Sequence, residues 1–315
     1  MPRVEYQGAW FEVQKGETVL DALLHAGQPV SHSCRAGVCG SCLMRAAGHT
    51  VPPAAAQAGL KDAWRASGYF LACLCRLESD LVAAPVGDEA RVPVTISELE
   101  RLSDSVLRVR LVAQSPFEFR AGQFVALIRE DGLARSYSIA SLPAEGRLEL
   151  HVRVLPNGQM SQWLATDARV GSTLAVQGPS GECFYVPGRE DQPLLLAGTG
   201  TGLAPLYGIA REAVAQGHRG PIDLFHGVLN AAGFYLGKEL AALAAAAPNF
   251  TYTQATLVDD GPLDAVILGR FPVLKGRRSF LCGDPTLVQA LRKKLFLAGA
   301  ALNDIHADAF LPSAT

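Results

Sequence analysis

Five closely placed cysteines constrain this chain more than any other feature. The run Cys34-Arg35-Ala36-Gly37-Val38-Cys39-Gly40-Ser41-Cys42 has the spacing C-x4-C-x2-C, and a further pair, Cys73 and Cys75, follows it. That spacing suits a [2Fe–2S] centre, in which four thiolates converge on two irons. Gly37 and Gly40 suit the same task, because residues without a Cβ take positive φ and let backbone N–H groups approach the inorganic sulfides. A structural zinc site is the competing reading, but it more often uses paired C-x2-4-C knuckles. Disulfides fit poorly, since seven cysteines are an odd number and no export signal is apparent. Spacing alone leaves the fourth ligand open between Cys73 and Cys75.

The segment Gly68-Tyr69-Phe70-Leu71-Ala72-Cys73-Leu74-Cys75 resembles the plant-type ferredoxin segment in which the last ligand follows Leu-Ala or Leu-Thr. The resemblance implies Cys34, Cys39, Cys42 and Cys73 as metal ligands and leaves Cys75 as an extra thiol. Upstream, residues 4–6 and 9–13 read as a hairpin turning at Gln7-Gly8. Thr18 to Gly27 reads as a short helix, with Thr18 as N-cap and Gly27 as its left-handed stop. Leu20, Leu23 and Leu24 fall on its buried face, and His25 beside them reads as structural. Hairpin, helix and cysteine loop in this order resemble the β-grasp ferredoxin fold.

The run Ala83 to Pro93, with two prolines and a glycine, reads as a domain boundary. Beyond it, alternating strands such as Val106–Val112 and Leu148–Val154, punctuated by glycine and proline, suggest an antiparallel barrel. Arg135-Ser136-Tyr137-Ser138 sets a cation, a ring and hydroxyls on one extended stretch, which suits a flavin. Gly158-Gln159-Met160-Ser161 is a glycine turn opening a helix, able to present N–H groups to phosphate oxygens. Later, the buried strand Pro193–Ala197 runs into Gly198-Thr199-Gly200-Thr201-Gly202 and a helix. This is again a phosphate-binding geometry, though not the G-x-G-x-x-G pattern. The remaining alternation of strand and helix predicts a parallel sheet covered on both faces.

Taken together, these motifs and Gln177-Gly178-Pro179-Ser180-Gly181 resemble the flavin domain of the ferredoxin–NADP reductase family. The resemblance makes the later glycine turn a nicotinamide dinucleotide loop. It implies that Cys282 and Gly283 lie beside the nicotinamide, and that Asp308 and Phe310 supply a carboxylate and an aromatic near the flavin. Ser138 would hydrogen-bond near flavin N5, Tyr137 would pack on the ring and Arg135 would hold phosphates. Unaided, Cys282 and Cys183 read as buried core thiols.

The expected organisation is therefore multidomain α+β and α/β. It comprises a [2Fe–2S] ferredoxin domain over residues 1–90, a FAD-binding β-barrel over 91–188 and an NAD(P)H-binding α/β domain over 189–315. This order resembles the reductase component of bacterial multicomponent oxygenases, the benzoate dioxygenase reductase type. FAD is expected rather than FMN, and NADH rather than NADPH, because Gly227-Val228-Leu229-Asn230 offers no cation for a 2′-phosphate. The implied acceptor is a terminal oxygenase or a small electron carrier. A deoxysugar dehydratase, a diiron monooxygenase and a non-catalytic flavin redox sensor are the other readings. A net charge of −2 argues against nucleic acid. The apolar run Leu240–Ala247 is too short to span a bilayer. A cytoplasmic monomer is expected.

Overall fold

Alternation sets the first strands: in β1 (Arg3–Tyr6) Val4 and Tyr6 are buried while Arg3 is exposed. The structure, a computed structural model of the chain, describes residues 1–86 and 91–311. β1 turns into β2 (Ala9–Glu12) through Gln7 and Gly8, both at positive φ (52° and 84°), as a two-residue hairpin turn demands. α1 (Val19–His25) starts with a capping box: the Asp21 N–H donates to Thr18 Oγ1 (3.2 Å) and the Thr18 N–H to Asp21 Oδ2 (3.3 Å). Its Leu20 and Leu23 pack into a core with Phe70 and Leu81. His25 does not pack with them; its exposed ring pairs with Glu17 (Nδ1 to Oε1 2.7 Å). β3 (Leu43–Ala46), α2 (Asp62–Ala66), β4 (Tyr69–Leu71) and β5 (Leu81–Pro85) complete a sheet of order β2-β1-β5-β3-β4. Only β1 and β5 run parallel in it. This is the expected β-grasp arrangement.

The boundary expected over Ala83–Pro93 is narrower than composition suggested. Ala83 pairs with Tyr6, and Pro85 with Met44, so both belong to the first sheet. Val92 and Pro93 already pair with Val176 and Ala175 in the second sheet. Residues 87–90, the middle of that stretch, lie outside the described residues.

The second sheet contains β6 (Val92–Ser103), β7 (Val106–Ala113), β8 (Phe124–Ile128), β9 (Ala134–Ser138), β10 (Leu148–Arg153) and β11 (Thr173–Ser180). The order β10-β7-β6-β11-β8-β9 is antiparallel throughout, and an Ile139–Leu150 bridge links its two ends. Val109, Val125, Leu127 and Leu150 fill the interior, and Met160 and Leu164 of α3 (Gln159–Thr166) pack into the same core.

The third sheet has order β14-β13-β12-β15-β16, all parallel. Its elements are β12 (Leu194–Thr199), α4 (Leu203–Ala215), β13 (Ile222–Val228), α5 (Gly237–Ala246), β14 (Phe250–Thr256), α6 (Leu263–Arg270), β15 (Arg278–Gly283), α7 (Pro285–Leu297) and β16 (Ile305–Ala309). Successive β12 side chains point to opposite faces. Leu194 and Leu196 meet α4 and α5, whereas Leu195 and Ala197 meet α6 and α7. Both faces are thus covered, as the run of apolar residues in β12 requires.

A polar seam joins the second and third sheets. Arg108 of β7 stands opposite His151 of β10, on the outside of the barrel, and α5 covers the pair. The Arg108 guanidinium reaches Glu100 (2.5 Å), Glu149 (3.3 Å) and Glu239 of α5 (2.6 Å). His151 bridges Glu149 (3.0 Å) and the Tyr235 hydroxyl (3.3 Å). Burial pushes Glu149 up, but His151, Arg110 and Arg108 outweigh that and hold it down to about 2. The seam is therefore charged and tied by ion pairs, although Arg108 Nε, 3.3 Å from Glu149, makes no hydrogen bond. Among the described residues no helix is long and apolar enough to cross a membrane.

Candidate functional site

The cysteine loop brings its thiols together in two pairs. The Cys39 and Ala36 N–H groups donate to Cys34 Sγ at 3.4 Å, and the Cys34 N–H points at Cys39 Sγ at 3.5 Å. The Cys39 thiol and these backbone donors hold Cys34 down to about 5. Cys42 and Cys73 form the second pair, and their mutual hydrogen bond pushes Cys42 up and holds Cys73 down. Cys75 stands apart. It is fully buried in the core, and burial alone pushes its thiol up to about 12. Gly37 (φ +74°) shows why the loop needs glycine: a Cβ there would lie 2.4 Å from Leu74 Cδ1, beside Cys73. Among the described residues no group of three or more His, Cys, Asp and Glu is placed to hold one metal ion. Two thiol pairs with inward N–H donors fit a binuclear iron–sulfur cluster, two thiolates to each iron.

That loop forms one wall of a cavity of about 980 Å³ running between all three sheets. Ser33, Cys34, Val38 and Cys39 line it on one side, and Arg135, Ser136, Tyr137 and Ser138 of β9 on the next. The Ser136 hydroxyl is buried and has no hydrogen-bond partner, which calls for a polar ligand there. Gly158 and Ser161 line the cavity where α3 begins. A Cβ on Gly158 would meet Ser161 Oγ at 2.3 Å and displace the hydroxyl that braces this turn. Ser161 Oγ accepts the Leu155 N–H (3.1 Å) and donates to the Gly158 carbonyl (3.2 Å), locking the turn. A strand with an unpartnered hydroxyl and a cation, facing a helix N-terminus, fits a flavin with its phosphates.

The far wall comes from the third sheet: Thr199, Gly200 and Thr201, then Gly283, and then Asp308 and Phe310. Ser138 Oγ donates to Asp308 Oδ2 at 3.1 Å, tying the flavin strand to β16. Burial pushes Asp308 up to about 6, against the hydrogen bond from Ser138.

Of the expected site residues, Cys42 and Cys73 lie behind the loop and off the cavity wall, and four expected for the flavin or nucleotide do not reach it either. Gln159, in the first turn of α3, is exposed to solvent. Gly198 and Gly202 are packing glycines: a Cβ on them would lie 2.8 Å and 2.3 Å from the Cys282 carbonyl oxygen. They let the turn rest directly on β15. Cys282 projects into the α4 core, with its sulfur 3.6 Å from that of Cys183. The reading of both as core thiols describes their surroundings.

Sequence reasoning missed His151 and Arg153, which line the cavity, and His226, which does not. Arg153 had a usable signal, standing just before the Pro156-Asn157-Gly158 turn. His226 is fully buried; its Nε2 donates to the Gly200 carbonyl (3.0 Å), while Nδ1 accepts from the Tyr252 hydroxyl (3.1 Å). These bonds fix one neutral tautomer, and burial pushes the ring down to about 4. Nothing in Phe225-His226-Gly227 foretells this role. Arg211 of α4 is paired with Glu145 and lies over the Tyr207 ring.

Comparison with known proteins finds three family models along the chain. Residues 3–78 match the 2Fe-2S iron-sulfur cluster binding domain, 93–185 the oxidoreductase FAD-binding domain and 196–293 the oxidoreductase NAD-binding domain. The chain is 33% identical to the ferredoxin–NAD(P)+ reductase component of the naphthalene 1,2-dioxygenase/salicylate 5-hydroxylase systems of a Ralstonia species, over 98% of both chains. It is also 33% identical to the reductase subunit of an aromatic O-demethylase from an Amycolatopsis strain, again over 98% of both. Among solved structures, an Amycolatopsis cytochrome P450 reductase superposes with a TM-score of 0.69 at 30% identity, covering both chains completely. The ferredoxin reductase of a carbazole 1,9a-dioxygenase gives 0.67 at 26% identity, over 98% of both. On these grounds the chain belongs to the [2Fe–2S]-, FAD- and NAD-binding ferredoxin–NAD(P)+ reductase components of oxygenase systems.

Proposed function

We propose that the chain takes electrons from NADH and passes them through FAD and a [2Fe–2S] cluster to a terminal oxygenase. The single observation behind this route is the shared cavity, lined at once by the cluster loop, the flavin strand and the nucleotide turn. Bound FAD supplies two-electron chemistry toward the nicotinamide and one-electron chemistry toward the cluster. The protein sets their positions. Cys34, Cys39, Cys42 and Cys73 hold the cluster, and the backbone donors at Ala36 and Cys39 steady Cys34. Arg135 faces the flavin phosphates together with the α3 N-terminus. Tyr137 and Phe310, on facing walls of the cavity, would hold the ring system between them. Ser138, its hydroxyl held by Asp308, would be available to hydrogen-bond the flavin. Thr199, Gly200 and Thr201 receive the dinucleotide, with His226 fixing the Gly200 carbonyl.

The nicotinamide donor is NADH. Around the end of β13 the cavity is lined by Leu229, Asn230, Ala232 and Gly233, none of them cationic, and Asn230 is engaged in capping its own turn (Ala232 N–H to Oδ1 3.2 Å). The acceptor is an aromatic-ring dioxygenase or hydroxylase of the kind named for the Ralstonia relative. The protein works as a cytoplasmic monomer. Anaerobic addition of NADH to the purified holoprotein tests the route: the flavin absorbance should bleach within the mixing experiment and a reduced-cluster EPR signal should follow. A spectrum unmoved by NADH would return the chain to the class of redox sensors and overturn the proposal.

A further inference from the structure

We propose that Gln177 is a positioning residue that seats the cluster loop on the flavin strand and so governs the rate of electron passage between the two. The inference rests on the functional reading above, in which the loop holds a cluster and the strand a flavin. Gln177 lies in β11 and is only 4% exposed. Its side-chain amide leaves the barrel and donates to the Gly40 carbonyl at 2.6 Å. Gly40 sits between Cys39 and Cys42, so the bond reaches the loop among its thiols. The same carbonyl accepts the Leu43 N–H at 3.0 Å, inside the loop's own turn. One oxygen thus ties the loop to itself and to the barrel.

The register explains why this position can do so. Gln177 stands opposite Ala126 of β8, and Ala126 opposite Ser136 of β9. Directly paired residues of antiparallel strands share a face, so Gln177, Ala126 and Ser136 form one row across three strands. At one end of that row is the unpartnered Ser136 hydroxyl in the flavin cavity. At the other end is the bond to the cluster loop. Beyond Gln177 the register with β8 breaks before Ser180, so Gln177 is the last regular position before the strand turns away. Ala126, between the two, is fully buried and small, which lets the loop lie close to the sheet. Arg91 makes a second tie to the ferredoxin module, donating to Ser31 Oγ at 3.3 Å, three residues before Cys34. Electron transfer falls off exponentially with separation, so a small loosening at Gly40 is felt directly in the rate.

The test uses the holoenzyme with Gln177→Leu, which keeps the volume and removes the donor, and Gln177→Glu, which keeps the shape and sets a carboxylate against the carbonyl. Stopped-flow mixing with NADH separates flavin reduction from the later cluster reduction, and hydrogen–deuterium exchange reads the 34–42 loop without any turnover. Flavin reduction should keep its wild-type rate in both variants. Cluster reduction should slow by about fivefold in Gln177→Leu, the equilibrium effect of one lost hydrogen bond, and by more in Gln177→Glu. Exchange in residues 34–42 should quicken in step. A wild-type rate of cluster reduction in both variants overturns the proposal, whatever the exchange shows. If the wild-type flavin is reduced by NADH but its cluster is not, the functional reading itself fails and takes this inference with it. Should Gln177→Leu not retain its cofactors, Gln177→Glu, which is closer in shape and polarity, decides the matter.

Discussion

Asp308→Asn should make the protein more stable at pH 8 while barely changing it at pH 4. Asp308 ends on the cavity wall with its carboxyl beneath Ser138 (3.1 Å), and burial pushes it from 3.8 up to about 6. An acid whose folded value exceeds its unfolded value binds more protons when native. Its contribution to stability is therefore present below about 3.8 and is lost as pH rises through about 6. At about 1.4 kcal/mol for each unit, the full loss is about 3 kcal/mol. The residue is only half-buried on an open cavity, so solvent screening reduces this to about 1–2 kcal/mol. Asparagine keeps an oxygen for the Ser138 hydroxyl and cannot ionise, so it removes the cost and retains the bond. Calorimetric melting of wild type and variant across this range should show a gain of roughly 2–6 °C at pH 8. About half of that gain should remain at pH 5, where the wild-type group is still mostly protonated only in the folded state. A gain that does not vary with pH, or a variant less stable at pH 8, would refute the reasoning by showing that the native carboxylate is well solvated or usefully paired.

Three further outcomes follow from the same geometry. Cys73→Ser should abolish the EPR signal of the reduced cluster, whereas Cys75→Ser should retain it, because Cys75 lies in the core away from the thiol pairs; loss of the signal in Cys75→Ser would reverse the assignment. Steady-state kinetics should give a kcat/KM for NADH about tenfold or more above that for NADPH, since a 2′-phosphate finds no arginine along the β13 end of the cavity. His226→Phe should raise KM for NADH about three- to tenfold with little change in kcat or FAD content, and Tyr252→Phe should have a smaller effect in the same direction. Because burial holds His226 down to about 4, its imidazole NMR shifts should stay flat between pH 6 and 8; a titration in that range would mean that the ring is not locked.

Local chemistry made much of the fold legible. The Thr18 cap, the Gln7-Gly8 turn and the apolar run of β12 each obey a short-range rule, and each appears where the rule puts it. The Arg135–Ser138 stretch could be read for the same reason: a strand exposes its residues in a simple order. What could not be read were relations across long separations. The alternation in Leu107-Arg108-Val109-Arg110 places the arginines outside the barrel, and nothing local says that Glu239, 131 residues away, will cover Arg108. His226 and Gln177 sit in strands that read as plain core or barrel, yet each acts on a backbone carbonyl in another element. The glycine turn hid a relation of the same kind. Gly198 and Gly202 look like phosphate-binding residues, and the structure adds a second demand, close packing on β15. A sequence shows that a Cβ is missing and not which neighbour required it.

The seam around Arg108 bears on how such a protein can be recombined. Relatives differ in their electron acceptors, which invites exchange of whole modules between them by evolution or by design. The covalent joints look permissive, but the Arg108 guanidinium is shared between barrel carboxylates and Glu239 of α5, with Tyr235 closing on His151. A foreign nucleotide module lacking the counterpart of Glu239 would leave one arm of a buried guanidinium without its partner, with Glu100 and Glu149 still holding the rest. Barrel and nucleotide module are thus tied across their seam and are best exchanged as one unit. The ferredoxin module meets the barrel at Ser31 and Gly40 through neutral acceptors, so exchanging it breaks no ion pair there, provided that the Gly40 carbonyl still meets Gln177.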